Sequence, residues 1–256
     1  MIGLPRASTF MNRILIWDLP TRLFHWAFAG SVASALAISF LVDDDRPLFQ
    51  LHMLFGIVAV FLLALRLVMG VAGSRYARFS SYPLRPSEVI GYLASAVFSK
   101  TRLYAGNNPG SALAALLMFV LSLGLLFSGT GWGGGEIEEV HETLAWAMLA
   151  VIVMHLLGLA WHTIRHRDAV LLAMVTGRKE GRPEDGIPSA HPAWGMFLLV
   201  GSGLWIAALF GNHRTGSASI KLPVIGTSIR LSAKDGGDHE RSGKSKRKRH
   251  QDDDDD

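Results

Sequence analysis

Five stretches of the chain are apolar on every face, and polar segments separate them. Leu23–Val42 holds no Lys, Arg, Asp or Glu. Leu51–Ala72 holds one charge, Arg66. Ser111–Ser128 holds none, Val140–Trp161 only Glu142, and Pro192–Phe210 none. The runs are 18–22 residues long, and about 20 helical residues cross the hydrocarbon core of a bilayer. Buried helices of a soluble protein seldom stay apolar all round for this length. The pattern predicts an all-α integral membrane protein: a four-helix transmembrane bundle plus a fifth transmembrane helix. The fifth run is short and carries three glycines, so lying at the interface is the alternative to spanning.

The charges between the runs give an orientation. Arg6, Arg13 and Arg22 precede the first run. Asp43, Asp44, Asp45 and Arg46 follow it. Arg75, Arg78, Arg85, Lys100 and Arg102 separate the second and third. Glu136, Glu138 and Glu139 separate the third and fourth, and Arg165, Arg167, Arg178, Lys179 and Arg182 follow the fourth. Lys and Arg collect in cytoplasmic loops. The expectation is a bacterial inner-membrane protein with a cytoplasmic N-terminus and outward-facing acidic loops. The expected divisions are an N-terminal cytoplasmic segment (1–13), the four-helix membrane domain (14–179), a linker with the fifth helix (180–211) and a tail (212–256). Asn212–Asp256 is polar and ends in Lys246-Arg247-Lys248-Arg249-His250 and five aspartates, which reads as disordered. No cleavable leader is expected, because cutting after the small residues Ala33-Ser34-Ala35 would discard His25.

Composition narrows the chemistry. The chain has 256 residues, 50% of them hydrophobic and 18% charged, a net charge of +4 and no cysteine. Disulfides, thiolate-held clusters and covalent c-type haem are excluded. The basic cluster of the tail is followed by acid and has no interleaved aromatics, so nucleic acid is not an expected partner. Membrane lipid is.

Four of the ten histidines fall inside or at the start of apolar runs: His25, His52, His141 and His155. Ionisable groups at membrane depth mark function, and no matching set of carboxylates accompanies them. His141 and His155 are fourteen residues apart, so they share a helix face and sit roughly 21 Å apart along the axis. His25 lies at the inner level with His155, and His52 at the outer level with His141. Two stacked bis-histidine sites follow. A b-type haem suits each, since the macrocycle is apolar and takes only two axial nitrogens from the protein. Gly56, one turn from His52, offers a flat surface for such a ring or for close helix packing. His162, seven residues beyond His155, is an alternative inner ligand.

Arg66 is fourteen residues after His52, on the same face at the inner level, and Arg22 is three residues before His25. Two roles are open to each: pairing with a haem propionate, or snorkelling to the inner headgroups.

The segment Trp17-Asp18-Leu19-Pro20-Thr21-Arg22-Leu23-Phe24-His25-Trp26 closely resembles the opening of the prokaryotic cytochrome b561 family, which is related to the b-type cytochrome subunits of nickel–iron hydrogenases and formate dehydrogenases. Leu51-His52 with Gly56, the loop Arg66–Phe79, Asn108-Pro109-Gly110, His141-Glu142, His155 and Ala173–Lys179 resemble later parts of the family in order, over about Ile14–Lys179. The resemblance implies a four-helix bundle with two b haems on His25, His52, His141 and His155. It also implies electron exchange with the quinone pool, a periplasmic cytochrome c or an attached enzyme subunit. Two other classes remain at this stage. One is a standalone membrane oxidoreductase acting on a small molecule at the outer haem. The other is a non-redox transporter using the histidines as a proton path, although that class expects intramembrane carboxylates and broken helices.

Overall fold

The computed structural model describes residues 12–98, 103–129, 135–167, 170–213, 219–224, 226 and 228–230. The expected N-terminal segment up to Met11, loop residues Lys100 and Arg102, and the charged end of the tail from Leu231 lie outside them. The elements run β1 (Asn12–Leu15), α1 (Leu19–Leu41), α2 (Gln50–Ala72), α3 (Pro86–Phe98), α4 (Pro109–Gly129), α5 (Gly135–His166), α6 (Val170–Thr176), β2 (Arg178–Gly181), α7 (Pro192–Asn212), β3 (Ser219–Lys221) and β4 (Ser228–Arg230). Five helices, α1, α2, α4, α5 and α7, are long and apolar enough to cross a membrane.

Three of the spanning helices begin where the sequence supplies a starter. Asp18 caps α1: its side chain accepts from the Thr21 amide at 2.9 Å, and Pro20 sits in the first turn. Pro109 opens α4 and Pro192 opens α7, positions where a missing N–H costs nothing. Asp18 is buried, so Asp18→Ala leaves an amide unsatisfied. Its expected cost is about 1 kcal/mol, read as a lower thermal midpoint in detergent.

The spans pair as two antiparallel hairpins, α1 with α2 and α4 with α5. The hairpins meet where α2 touches α4, while α5 has no comparable contact with α1 or α2. Glycine brings α4 and α5 close: a Cβ at Gly124 would lie 3.0 Å from Leu144. The core proper, around Phe28, Leu54, Val58, Leu62, Leu63, Phe119 and Leu209, lies among α1, α2, α4 and α7. The side between α1–α2 and α5 is left for something else.

α7 spans. Its N-terminal end meets that of α1, where the Leu19 amide donates to Ala190 O at 2.8 Å and Gly195 packs on Leu19. Farther along, Trp205 stacks on Phe61 at 4.0 Å and Phe210 packs edge-on to Phe55 at 5.6 Å. α7 therefore runs parallel to α1, and the chain leaves it at the opposite end of the bundle from β1.

Two features depart from expectation. The loops at the β1 end of the bundle are a built collar: β1 pairs antiparallel with β2, and Ile14, Ile16, Trp17, Tyr76, Ala173 and Ile187 form a second small core. Burial, the leading cause, pushes the Tyr76 hydroxyl above its usual pKa. It stays a protonated donor to Asp185 O at 2.7 Å. The tail, expected to be disordered from Asn212, instead begins with a β3–β4 hairpin. The physical reason is Ile220, which buries itself in the main core, with β3 packed on α7.

Candidate functional site

The four intramembrane histidines face the gap between the hairpins in two pairs. His52 on α2 and His141 on α5 have ring centroids 6.0 Å apart, with planes at 74°. Two imidazoles on opposite sides of one metal, each bonded at about 2 Å, have centroids about 6 Å apart.

Their hydrogen bonds fix the tautomers. His52 Nδ1 lies 2.9 Å from Ala35 O, which can only accept, so Nδ1 carries the proton. His141 Nδ1 lies 3.0 Å from Ser128 Oγ. Ser128 has one proton with a backbone acceptor for it, Gly124 O at 2.9 Å, which leaves its oxygen able to accept from a proton on His141 Nδ1. On both rings Nε2 is left as the bare nitrogen, the arrangement that metal-ligating histidines adopt. Phe49 stacks on His52 at 5.2 Å. Gly129 leaves room for His141, since a Cβ there would lie 3.2 Å from its ring. Ala35, Phe49, Ser128 and Gly129 were not singled out from the sequence. Only helix pairing brings them to the histidines, although Ser128-Gly129 at a helix end before an acidic loop is a faint signal.

At the other end of the gap, His25 on α1 lies within electrostatic range of His155 on α5. His162 is buried and its ring lies 4.4 Å from that of His166. Gly56 faces open space, with no atom within 4 Å of an added Cβ, and so does Gly158.

The two arginines part company. Arg22 donates through Nη2 to Val175 O and so caps the end of α6, while its Nε is buried without a partner. Arg66 is only 3% exposed, which excludes snorkelling. Its guanidinium lies 4.9 Å from the Phe79 ring, 5.8 Å from Phe24 and 5.9 Å from Phe119. Nη2 donates to Tyr82 at 2.8 Å, and Nη1 is buried with no partner. Gly70 makes this cage, because a Cβ there would fall 2.0 Å from Phe79. The aromatic cage comes from two other helices, α1 and α4, and the loop after α2, and the sequence alone did not point to it.

Among the described residues no group of three or more His, Cys, Asp or Glu side chains converges. A metal held by a histidine pair here must bring its remaining ligands with it, as a porphyrin does.

The sequence matches the family profile described as prokaryotic cytochrome b561 over residues 16–177, more than half of the chain. The chain belongs to the prokaryotic cytochrome b561 family. Comparison with curated proteins and with solved structures returns no match. Membership makes it a multi-pass membrane b-type cytochrome that binds haem b and transfers electrons. The matched region contains the first four spans but neither collar strand, β1 or β2, and none of α7 or the β3–β4 hairpin.

The residues fit that cofactor. Two imidazoles stand at metal-bridging distance with bare Nε2 atoms, open space flanks Gly56, and an unpartnered guanidinium nitrogen is buried at the other end. When bound, haem b supplies the redox-active iron; the polypeptide supplies axial nitrogens, a dry setting and fixed charge.

Proposed function

We propose that this cytochrome holds two b haems. One is ligated by His25 and His155, the other by His52 and His141, and electrons pass between them along the bundle. The observation that carries this is the His52–His141 pair, 6.0 Å apart, with each Nδ1 tied to a protein oxygen. The inner pair rests on the proximity of His25 to His155. The orphan Nη1 of Arg66 supports pairing with an inner haem propionate. Arg22, spent on the end of α6, is a weaker candidate for that role.

The protein sits in the inner membrane with β1 and the collar in the cytoplasm, by the distribution of Lys and Arg. The outer haem then lies at the level of the acidic loops, and α7 delivers the tail to the periplasmic side. One end of the pathway exchanges electrons with the quinone pool. The other exchanges with a periplasmic cytochrome c or an associated enzyme subunit, as family members do.

Low-temperature electron paramagnetic resonance of the oxidised protein tests the ligation. Bis-imidazole sites give low-spin ferric signals for both haems; a dominant high-spin signal in intact protein would contradict them. A finer expectation concerns Ser128. Ser128→Ala removes the oxygen that holds the His141 ring, and loss of such a support weakens metal binding by about 10–100-fold. Faster loss of one haem to a scavenging apoprotein, with the other retained, is the expected result.

A further inference from the structure

Arg66 carries a charge for which the protein offers no counter-ion. Its side chain is 97% covered, one terminal nitrogen binds a neutral phenol, the other binds nothing, and among the described residues no carboxylate lies within ion-pair range. Three aromatic rings surround it. An arginine keeps its charge in such a setting, and an uncompensated buried charge is expensive. Phe24, one wall of the cage, is the residue before His25. The opposite end of the bundle has the reverse sign. Asp43, Asp44 and Asp45 precede α2, Glu138 and Glu139 precede His141, and Glu142 follows it. Glu142 is engaged by Trp146 Nε1 at 3.4 Å.

Reducing a haem adds one negative charge. A nearby cation favours that state and nearby carboxylates disfavour it. We propose that Arg66, anchored by Tyr82, is a positioning charge that makes the haem on His25 and His155 the higher-potential member of the pair, so that the inner end is the electron sink. This rests on the two-haem assignment above. The step is a transfer of one electron: the iron between His52 and His141 goes from ferrous to ferric and the iron between His25 and His155 from ferric to ferrous. No bond and no proton moves.

Equilibrium redox titration of the purified holoprotein, followed at the visible α-band, tests this. His25→Ala and His52→Ala, each expected to leave one haem, assign the two waves. In the wild type the inner wave is expected at the higher potential. Arg66→Gln is expected to lower the inner wave by a tenfold change in its equilibrium constant, about 59 mV for one electron, and to leave the outer wave in place. Arg66→Lys is expected to restore most of the shift, and Glu142→Gln to raise the outer wave alone. An inner wave unmoved in Arg66→Gln with both haems bound overturns the proposal, as does a wild type whose inner haem is the lower one. Should Arg66→Gln lose the inner haem, Tyr82→Phe decides: it keeps the charge and removes its anchor, so a smaller shift in the same direction is expected, and no shift overturns the proposal. Wild-type protein with fewer than two haems refutes the two-haem assignment instead, so the two failures are distinct.

Discussion

On the proposed two-haem assignment, His52→Ala and His141→Ala are each expected to abolish one haem and spare the other. The expected loss is close to complete, because an axial nitrogen has no substitute nearby. Among the described residues no third potential ligand converges on the pair. Ala35 O, Phe49, Ser128 and Gly129, which surround the rings, have no group able to replace an imidazole. The two variants should therefore look alike: one haem per chain by pyridine haemochrome, and a single wave on titration. The fold should survive, since the main core lies on the other side of α2, around Leu54, Val58 and Leu62. His25→Ala should remove the other haem. His162→Ala is expected to leave both in place, because His25 is in range of His155; loss of the inner haem in that variant alone would transfer the ligand role to His162.

The second large effect is at Gly177. It ends α6 with a φ of 75°, the left-handed region that costs other residues about 1–2 kcal/mol. A Cβ there would stand 2.8 Å from the backbone oxygen of Trp17, which cannot swing aside as a side chain would. The carbonyl of Gly177 also accepts from the Ile16 and Trp17 amides at 2.9 and 3.1 Å, and Arg22 caps the same turn through Val175. Gly177→Val is thus expected to detach β1 and the Trp17 segment from the end of α6. Strain and clash together should exceed about 2 kcal/mol. Faster tryptic cleavage at Arg178 and Lys179 is the readout, with a lower thermal midpoint. Unchanged proteolysis would mean that the collar does not depend on this turn.

Much of the membrane architecture was legible in the sequence, because an apolar run of spanning length is a direct reading of burial in lipid. The run Leu51–Ala72 lies wholly within α2, and Pro192–Phe210 within α7. The expected histidine levels came from helical rise together with the alternating direction of the spans. What was not legible depends on contacts between distant segments. The collar is assembled from β1, Tyr76, Ala173, Ile187 and β2, each contributing one to four residues with no periodic signal. α3 was hidden within a segment rich in Arg and Lys. The Arg66 cage needs Gly70 to let Phe79 fold back, and Phe24 and Phe119 to arrive from other helices. The hairpin after α7 is held largely by one side chain, Ile220, in a stretch whose composition reads as unstructured.

The central claim is that the chain holds two b haems between paired histidines. Its most direct test is a reduced-minus-oxidised visible spectrum of the detergent-purified protein, with the haem counted by pyridine haemochrome against protein mass. The expected result is a b-type α-band at two haems per chain, falling to one in His52→Ala and in His25→Ala. A single haem in the wild type, or a colourless protein from cells supplied with haem, would contradict it.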